Sequence, residues 1–331
     1  MSESVILNNI LGVLKPYLTL KANEIIFNKP CEIHIDYGDH WEIMHDPKLD
    51  ITFLNNFLIE LATRRNQRFD EMHCSLSCEL PSPYLRYRVQ AQHKSSLFNS
   101  DISICIRIPS KEIFKLESFI LSDKVKNDGW NYEKIKELIR KKKNILLSGG
   151  TGSGKTSFLN SLMGEIDQNE RVVTIEDSQE LRVENINKTQ LAVPKIATEI
   201  YSYQIAIDNA MRLRPDRLFL GEIDIRNTFS FLRVNNTGHA GNLSTLHANS
   251  PKDAIKAIKT NVILGGGLTS VDDKMLNSLI ITAIDYIIQI ERVKNKRVVT
   301  DILNLKALDM QKVGLWKNLI VYILPKQICE Y

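Results

Sequence analysis

"NILLSGGTGSGKTSFLNSLM", residues 144–163, decides the fold. "NILLS" (144–148) reads as a short apolar strand, and "KTSFLNSLM" from Lys155 onward has the apolar spacing of a helix. Between them Gly149-x4-Gly154-Lys155-Thr156 fits the P-loop pattern. A phosphate chain must be wrapped by backbone N–H groups, and a Cβ would block that approach, so the loop is glycine-rich. The helix opening at Lys155 aims its positive end at the phosphates. The expected nucleotide contacts are Gly149, Gly150, Thr151, Gly152, Ser153, Gly154, Lys155, Thr156 and Ser157. Lys155 is expected to reach the β- and γ-phosphates, and the Thr156 hydroxyl to bind a metal, Mg²⁺. ATP and Mg²⁺ are therefore the expected ligands, although no motif reads out the base.

Binding a nucleotide is not hydrolysing it. Hydrolysis needs a group that orients or deprotonates water beside the γ-phosphate. Three stretches stand where strands should end, the place at which α/β sheets bind ligands. They are "TIEDSQEL" with Glu176, Asp177 and Glu180, "RLFLGEIDIR" with Glu222, and "TGHAGNLSTLHA" with His239 and His247. Each has a bland reading: carboxylates after strands cap the next helix, a Glu after "LFLG" is simply solvated, and paired histidines are more often structural. Three such stretches following one P-loop argue for a reaction site.

Around this centre, strand-like and helical runs alternate from "WNYEKIKELIRKKK" (130–143) through "RVVTIE", "EIYSYQIAIDNAMRL", "RLFLGE" and "NTFSFLRVNN" to "NLSTLH". That grammar predicts an α/β sheet with helices on both faces. The first 120 residues read differently. An amphipathic opening, Val5 to Leu18, precedes "EIIFN" (24–28), "CEIHID" (31–36) and "HWEIM" (40–44), a helix at 54–65, and strands in "YLRYRVQAQ" (84–92) and "ISICIRI" (102–108). Pro109 to Gly129 forms the junction. We expect an α+β domain over 1–120, a linker and entry helix over 121–140 and a P-loop domain over 141–331. No repeat or low-complexity segment interrupts the chain.

With 331 residues, two domains are expected. A net charge of +4 is too mild to argue for nucleic-acid binding, and no direct sequence-specific nucleic-acid contact is expected. The basic run Arg140 to Lys143 could attract an anionic surface, but at a helix end it also suits the dipole. Five scattered cysteines make neither a disulfide framework nor a zinc site. No signal peptide and no stretch of about 18 apolar residues is present. Residues 5–18 could lie on a bilayer or dock on their own domain.

The order P-loop, "IEDSQEL", "LRPDRLFLGE" and "GHAGNLSTLHA", spanning Gly149 to Ala248, resembles the secretion ATPase superfamily of type II and type IV secretion and type IV pili. With "RYRVQ" (86–90) and "ICIRIPSK" (104–111), the chain is most similar to the VirB-type traffic ATPases of type IV secretion. The resemblance covers roughly residues 65–305. It implies a RecA-like P-loop C-terminal ATPase domain behind a smaller α+β N-terminal domain, assembled as a hexameric ring. It implies ATP hydrolysis that drives transport of a protein or nucleoprotein substrate, or pilus assembly, with other components of a membrane-embedded secretion apparatus as partners. The place would be the cytoplasmic face of the inner membrane. Glu222 matches the Walker B glutamate, Glu176, Asp177 and Glu180 the acidic box, and His247 the residue on the γ-phosphate side, with His239 supporting its loop. Arg88 and Arg107 match arginines that reach the nucleotide.

The sequence departs from the family at Asp224, where an Arg usually stands, with Arg226 two residues on, and at Arg86-Tyr87, where a Gly-Glu pair is usual. An acid so near Glu222 is expected to raise its pKa or disturb a subunit contact. The missing four-cysteine zinc insertion separates the chain from type II secretion and pilus-assembly motors, but not from pilus-retraction motors. Rivals from other classes are a small-molecule kinase, which would need an arginine-rich lid, and a nucleotide-dependent binding switch.

Overall fold

The computed structural model describes residues 4–65, 67–109, 113–194, 201–266, 272–294 and 296–307. Residues 110–112 of the junction, 199–200 of one expected helix and the tail from 308 lie outside them. By their contacts the described residues form two units, 4–109 with Ser178–Glu180, and 113–177 with 181–307.

The first unit runs α1 (Val5–Leu18), β1 (Glu24–Lys29), β2 (Glu32–Asp36), β3 (Trp41–His45), α2 (Ile51–Arg64), β4 (Ser75–Glu79), β5 (Arg88–His93) and β6 (Ile102–Arg107). Its strands make one antiparallel sheet in the order β3-β2-β1-β6-β5-β4. Alternate residues, Ile25 and Phe27 of β1 and Ile102, Ile104 and Ile106 of β6, are buried on one face. They share a core with Leu7, Ile10, Leu11 and Leu14 of α1 and Leu54, Phe57, Leu58 and Leu61 of α2. The amphipathic stretch 5–18 thus buries its apolar stripe in its own unit, at about 1.5–3 kcal/mol per large side chain. β4 was not expected. In "SLSCE" only Leu76 is buried, too weak a pattern to announce a strand.

The second unit contains β7 (Ile120–Leu121), α3 (Asp123–Asn127), α4 (Tyr132–Arg140), β8 (Ile145–Ser148), α5 (Lys155–Met163), β9 (Val172–Glu176), β10 (Lys188–Ala192) and α6 (Tyr203–Arg212). It continues with β11 (Arg217–Leu220), α7 (Thr228–Asn235), β12 (Leu243–Leu246), α8 (Pro251–Leu264), α9 (Asp273–Ala283), β13 (Tyr286–Val293) and β14 (Lys296–Asn304). The sheet order among described residues is β10-β9-β11-β12-β8-β13-β14-β7. From β10 to β13 all neighbours are parallel, β14 turns back antiparallel on β13, and β7 lies parallel to β14. The terminal hairpin β13–β14 was not foreseen, and β9 reaches β10 without an intervening helix.

Both faces of this sheet are covered, as the near-continuous apolar strands require. Leu146, Leu218, Leu220 and Ile287 pack toward α6, α7, α8 and α9. Their sequence neighbours Ile145, Leu147, Phe219 and Ile288 pack toward α3, α4 and α5 on the other side. The basic run at the end of α4 is charge-paired throughout: Arg140 with Glu133 and Glu165, Lys141 with Glu137, Lys142 with Glu170 and Lys143 with Asp285.

Candidate functional site

Because β9, β11, β12 and β8 run parallel, their carboxyl ends share one edge of the sheet. Leu246 stands in register with Ser148, and Leu220 with Ile175. The residues that follow, Gly149, Glu176-Asp177, Gly221-Glu222 and His247, therefore gather at that edge. This is how segments about a hundred residues apart in sequence come to form one site.

The loop's glycines answer to specific crowding. A Cβ on Gly149 would come 2.3 Å from the carbonyl oxygen of Ile290 and 2.5 Å from Ser153 Oγ. Gly154 caps α5 at φ +99°, a left-handed conformation that L side chains avoid. Gly150, Thr151 and Gly152 line the rest of the turn, with Thr151 and Gly152 exposed. Ser153 is 4% exposed, and its Oγ has no hydrogen-bond partner among the described residues, an orphaned hydroxyl inside the loop. Thr156 and Ser157 are half-buried in the first turn of α5.

Lys155 is 7% exposed. Its Nζ donates to the carbonyls of Gly149 (2.9 Å) and Gly150 (3.1 Å) and lies 3.2 Å from His247 Nδ1. His247 Nε2 lies 3.0 Å from Glu222 Oε1. An ammonium group only donates, so Nδ1 must accept, and Nε2 carries the proton that bonds Glu222. The arrangement selects the neutral Nε2–H tautomer of His247 and links the P-loop lysine to the glutamate through one imidazole. Both Glu222 and His247 are about half exposed, at 45% and 48%, so the far end of this relay faces solvent.

The acidic stretch after β9 divides. Glu176 is buried and accepts from the backbone N–H of Leu181 at 2.9 Å. A Cβ on Gly221 would come 3.0 Å from Glu176 Cγ, so Gly221 lets the two strand ends approach closely. Asp177 pairs with Arg226 at 3.0 Å. Arg226 forks onto Asp224 through Nε (2.8 Å) and Nη2 (2.5 Å) and lies 5.0 Å above the Tyr203 ring. Burial opposes the Arg226 charge, yet the bonds to Asp224 and Asp177 hold its pKa above the ordinary guanidinium value. The carboxylate of Asp224 is thus taken up by Arg226, whereas the sequence alone suggested pressure on Glu222.

Glu180 ion-pairs with Arg88 in the first unit, to which its contacts assign it. Arg88 and Arg107 stand opposite one another in the β5–β6 register. His239 does not join the site. It precedes β12, and its carbonyl accepts from Asn242 (3.0 Å), whose own N–H donates to Asn144 at the amino end of β8. The whole of β12 separates it from His247, which corrects the expectation that both histidines sit at a strand's carboxyl end.

A family model described as Type II/IV secretion system protein matches residues 86–303. The chain belongs to that family. Its curated relatives include the type IV secretion system protein VirB11 of Bartonella henselae, 29% identical over an alignment that covers 88% of this chain and 92% of the relative. PtlH of Bordetella pertussis, also a type IV secretion system protein, is 26% identical over 85% of this chain and 89% of its own length. Among solved structures, the VirB11 ATPase of Brucella suis in complex with sulphate superposes with a TM-score of 0.51 at 23% identity, covering 92% of this chain and 97% of that one. The pilus retraction motor PilT with bound ADP gives 0.67 at 20% identity, covering 94% and 89%. At such identities these structures speak for the fold alone.

Two features of this family member escaped the sequence reading. The Arg226 clamp was noted only as a departure from the family pattern. Arg297 of β14, whose side chain presses on Gly154, was not singled out at all. Nothing local marks it, because a late hairpin brings it to the loop.

Among the described residues no cluster of three His, Cys, Asp or Glu could hold a metal by itself. The Thr156 hydroxyl suits Mg²⁺ nevertheless, since that ion keeps waters and phosphate oxygens as most of its ligands. No described helix is long and apolar enough to cross a membrane.

Proposed function

We propose that the chain is a hexameric traffic ATPase that couples ATP hydrolysis to domain motions, powering transport of a protein or nucleoprotein substrate in a type IV secretion system. The observation that carries this reading is the Lys155–His247–Glu222 relay at the carboxyl edge of a parallel sheet. Lys155 holds the phosphates, and Thr156 would hold Mg²⁺, which when bound screens phosphate charge. Glu222 takes a proton from, or orients, the attacking water. His247 reports the state of Lys155 to Glu222: a γ-phosphate that draws Lys155 away frees Nδ1 and changes the hydrogen bonding of the imidazole. Glu176 and Asp177 shape the loop beside the metal position. The assignments of Glu180, Arg88 and Arg107 rest on the family resemblance. So do a RecA-like domain over 141–331, an N-terminal domain over 1–120, a linker over 121–140 and a place at the cytoplasmic face of the inner membrane.

The test is steady-state phosphate release by Glu222→Gln and Lys155→Ala beside the unaltered chain. Glu222→Gln is expected to lose about a hundredfold or more in turnover while still binding nucleotide. Lys155→Ala should lose nucleotide binding as well. Wild-type turnover in Glu222→Gln would remove Glu222 from its role. Binding without turnover in the unaltered chain would favour a switch. A pilus-retraction motor is the second reading, left open because the chain lacks the four-cysteine zinc insertion that marks the type II secretion and pilus-assembly motors. The secretion reading rests on relatives at 26–29% identity spanning nearly their whole lengths.

A further inference from the structure

The tip of the β13–β14 hairpin carries two arginines in direct register, Arg292 and Arg297. Like charges opposite each other on paired strands repel. Among the described residues Arg297 makes no ion pair, in contrast to the four basic residues at the end of α4. Its guanidinium carbon lies 4.2 Å from the centre of the Phe114 ring, which occupies one face of the planar group and leaves its N–H rim. Its stem lies against the phosphate loop. A Cβ on Gly154 would come within 2.6 Å of Arg297 Cδ and 2.8 Å of Nε. From the same hairpin, the carbonyl of Ile290 packs under Gly149. The hairpin therefore touches both ends of the loop and brings a half-buried cation to it.

We propose that Arg297, with Arg292 beside it, is a phosphate-binding group for the nucleotide held by residues 149–156, an inference that rests on the nucleotide reading above. A stacked guanidinium is oriented before the ligand arrives, and its rim donors match phosphate oxygens. Burial and the neighbouring Arg292 both lower the Arg297 pKa, but from a value so high that the group stays charged at neutral pH. An anion beside Arg297 would gain the guanidinium's rim donors, and the contact would tie the hairpin to the bound nucleotide.

The test is equilibrium binding of ADP and of inorganic pyrophosphate, each with Mg²⁺, to the full chain and to Arg297→Gln, Arg297→Lys, Arg292→Gln and Lys155→Ala. Arg297→Gln should weaken both ligands by the same factor, about tenfold, since both present phosphate to it. Arg297→Lys should recover part of the loss, and Arg292→Gln should lose less than Arg297→Gln. The apparent melting temperature of ligand-free Arg297→Gln should match or exceed that of the unaltered chain, because a like-charge contact has gone. Loss of ADP binding with unchanged pyrophosphate binding would overturn the proposal in favour of a base-stacking role. Unchanged binding of both would overturn it outright. If the unaltered chain binds neither ligand and Lys155→Ala makes no difference, the nucleotide reading itself fails and this inference with it. A lower melting temperature of ligand-free Arg297→Gln would instead mark Arg297 as a structural residue and count against the proposal.

Discussion

The two edges of the eight-stranded sheet hold their polar residues in different arrangements. At the amino edge Asn242, Asn144 and Arg217 are shut in. Asn242 is fully buried, takes the N–H of Leu218 at 2.9 Å, and donates to Asn235 Oδ1 and the His239 carbonyl. Asn144 accepts from Asn242 and donates to the Ala283 carbonyl, while its own N–H reaches Asp285. Arg217, 1% exposed, forks onto Glu170 at 2.8 and 2.9 Å, and Lys142 closes the group at 3.0 Å. At the carboxyl edge, Glu222 and His247 are half open to solvent and joined in a chain that ends on the P-loop lysine. Glutamate and lysine occur at both edges, but in different company: at the amino edge Glu170 and Lys142 close around a buried arginine, and at the carboxyl edge Glu222 and Lys155 are joined by a half-exposed histidine.

If that contrast is right, the largest effect on folding comes from the amino edge and leaves the chemistry intact. Arg217→Met should cost about 3–5 kcal/mol of stability, because Glu170 is left in a buried place with only Lys142. Thermal unfolding checks it, and turnover per folded molecule should stay near that of the unaltered chain. A selective loss of turnover without a drop in melting temperature would erase the distinction between the edges.

The acid limb of stability comes next. Burial by itself raises the Glu170 carboxyl pKa, but bonds from Arg217 and Lys142 outweigh it, and the net shift is downward from 4.5. A carboxylate with a lowered folded pKa stabilises the fold above its unfolded pKa, and that contribution is lost as pH falls through the folded value. The unaltered chain should therefore lose stability below about pH 4.5 in part through this group. Glu170→Gln should be less stable at pH 7 and show a shallower acid limb. Denaturant midpoints measured from pH 7 to pH 3 check both signs.

Much of this was legible in the chain, and the illegible parts share a cause. The strand–loop–helix at 144–163 announces itself because glycine spacing, apolar run and helix start are all local. Glu222, His247 and Asp177 were legible as strand-end residues for the same reason. β4 was hidden because one buried leucine makes no period, and the β13–β14 hairpin because its residues follow the recognisable motifs. His239 was misplaced because eight residues of sequence include the whole width of the sheet: β12 lies between the two histidines and carries them to opposite edges. Arg297 gave no signal, since its neighbour Gly154 is far away in sequence. Distance in sequence, not weakness of chemistry, set the limit.

The smallest expected effect probes the point at which sequence and structure part most sharply. Asp224 follows Glu222 by two residues, and on sequence alone its charge should trouble that glutamate. In the structure its oxygens face the Arg226 guanidinium, and the Arg226 N–H donates to Oδ1 at 2.7 Å. Both partners are about one-third exposed, at 32% and 33%, so the pair is worth no more than about 1 kcal/mol. Asp224→Asn should lower stability by less than that, because Arg226 keeps Asp177 and its place over Tyr203. The acid limb of the ATPase pH profile should not move. A shift of that limb toward lower pH would mean that the Asp224 charge reaches Glu222 after all, and that Arg226 neutralises it incompletely. Arg226→Gln sharpens the same question from the other side. It leaves Asp177 and Asp224 without their shared cation, so it should cost more than Asp224→Asn, and the difference between the two variants measures what the clamp contributes to the carboxyl edge.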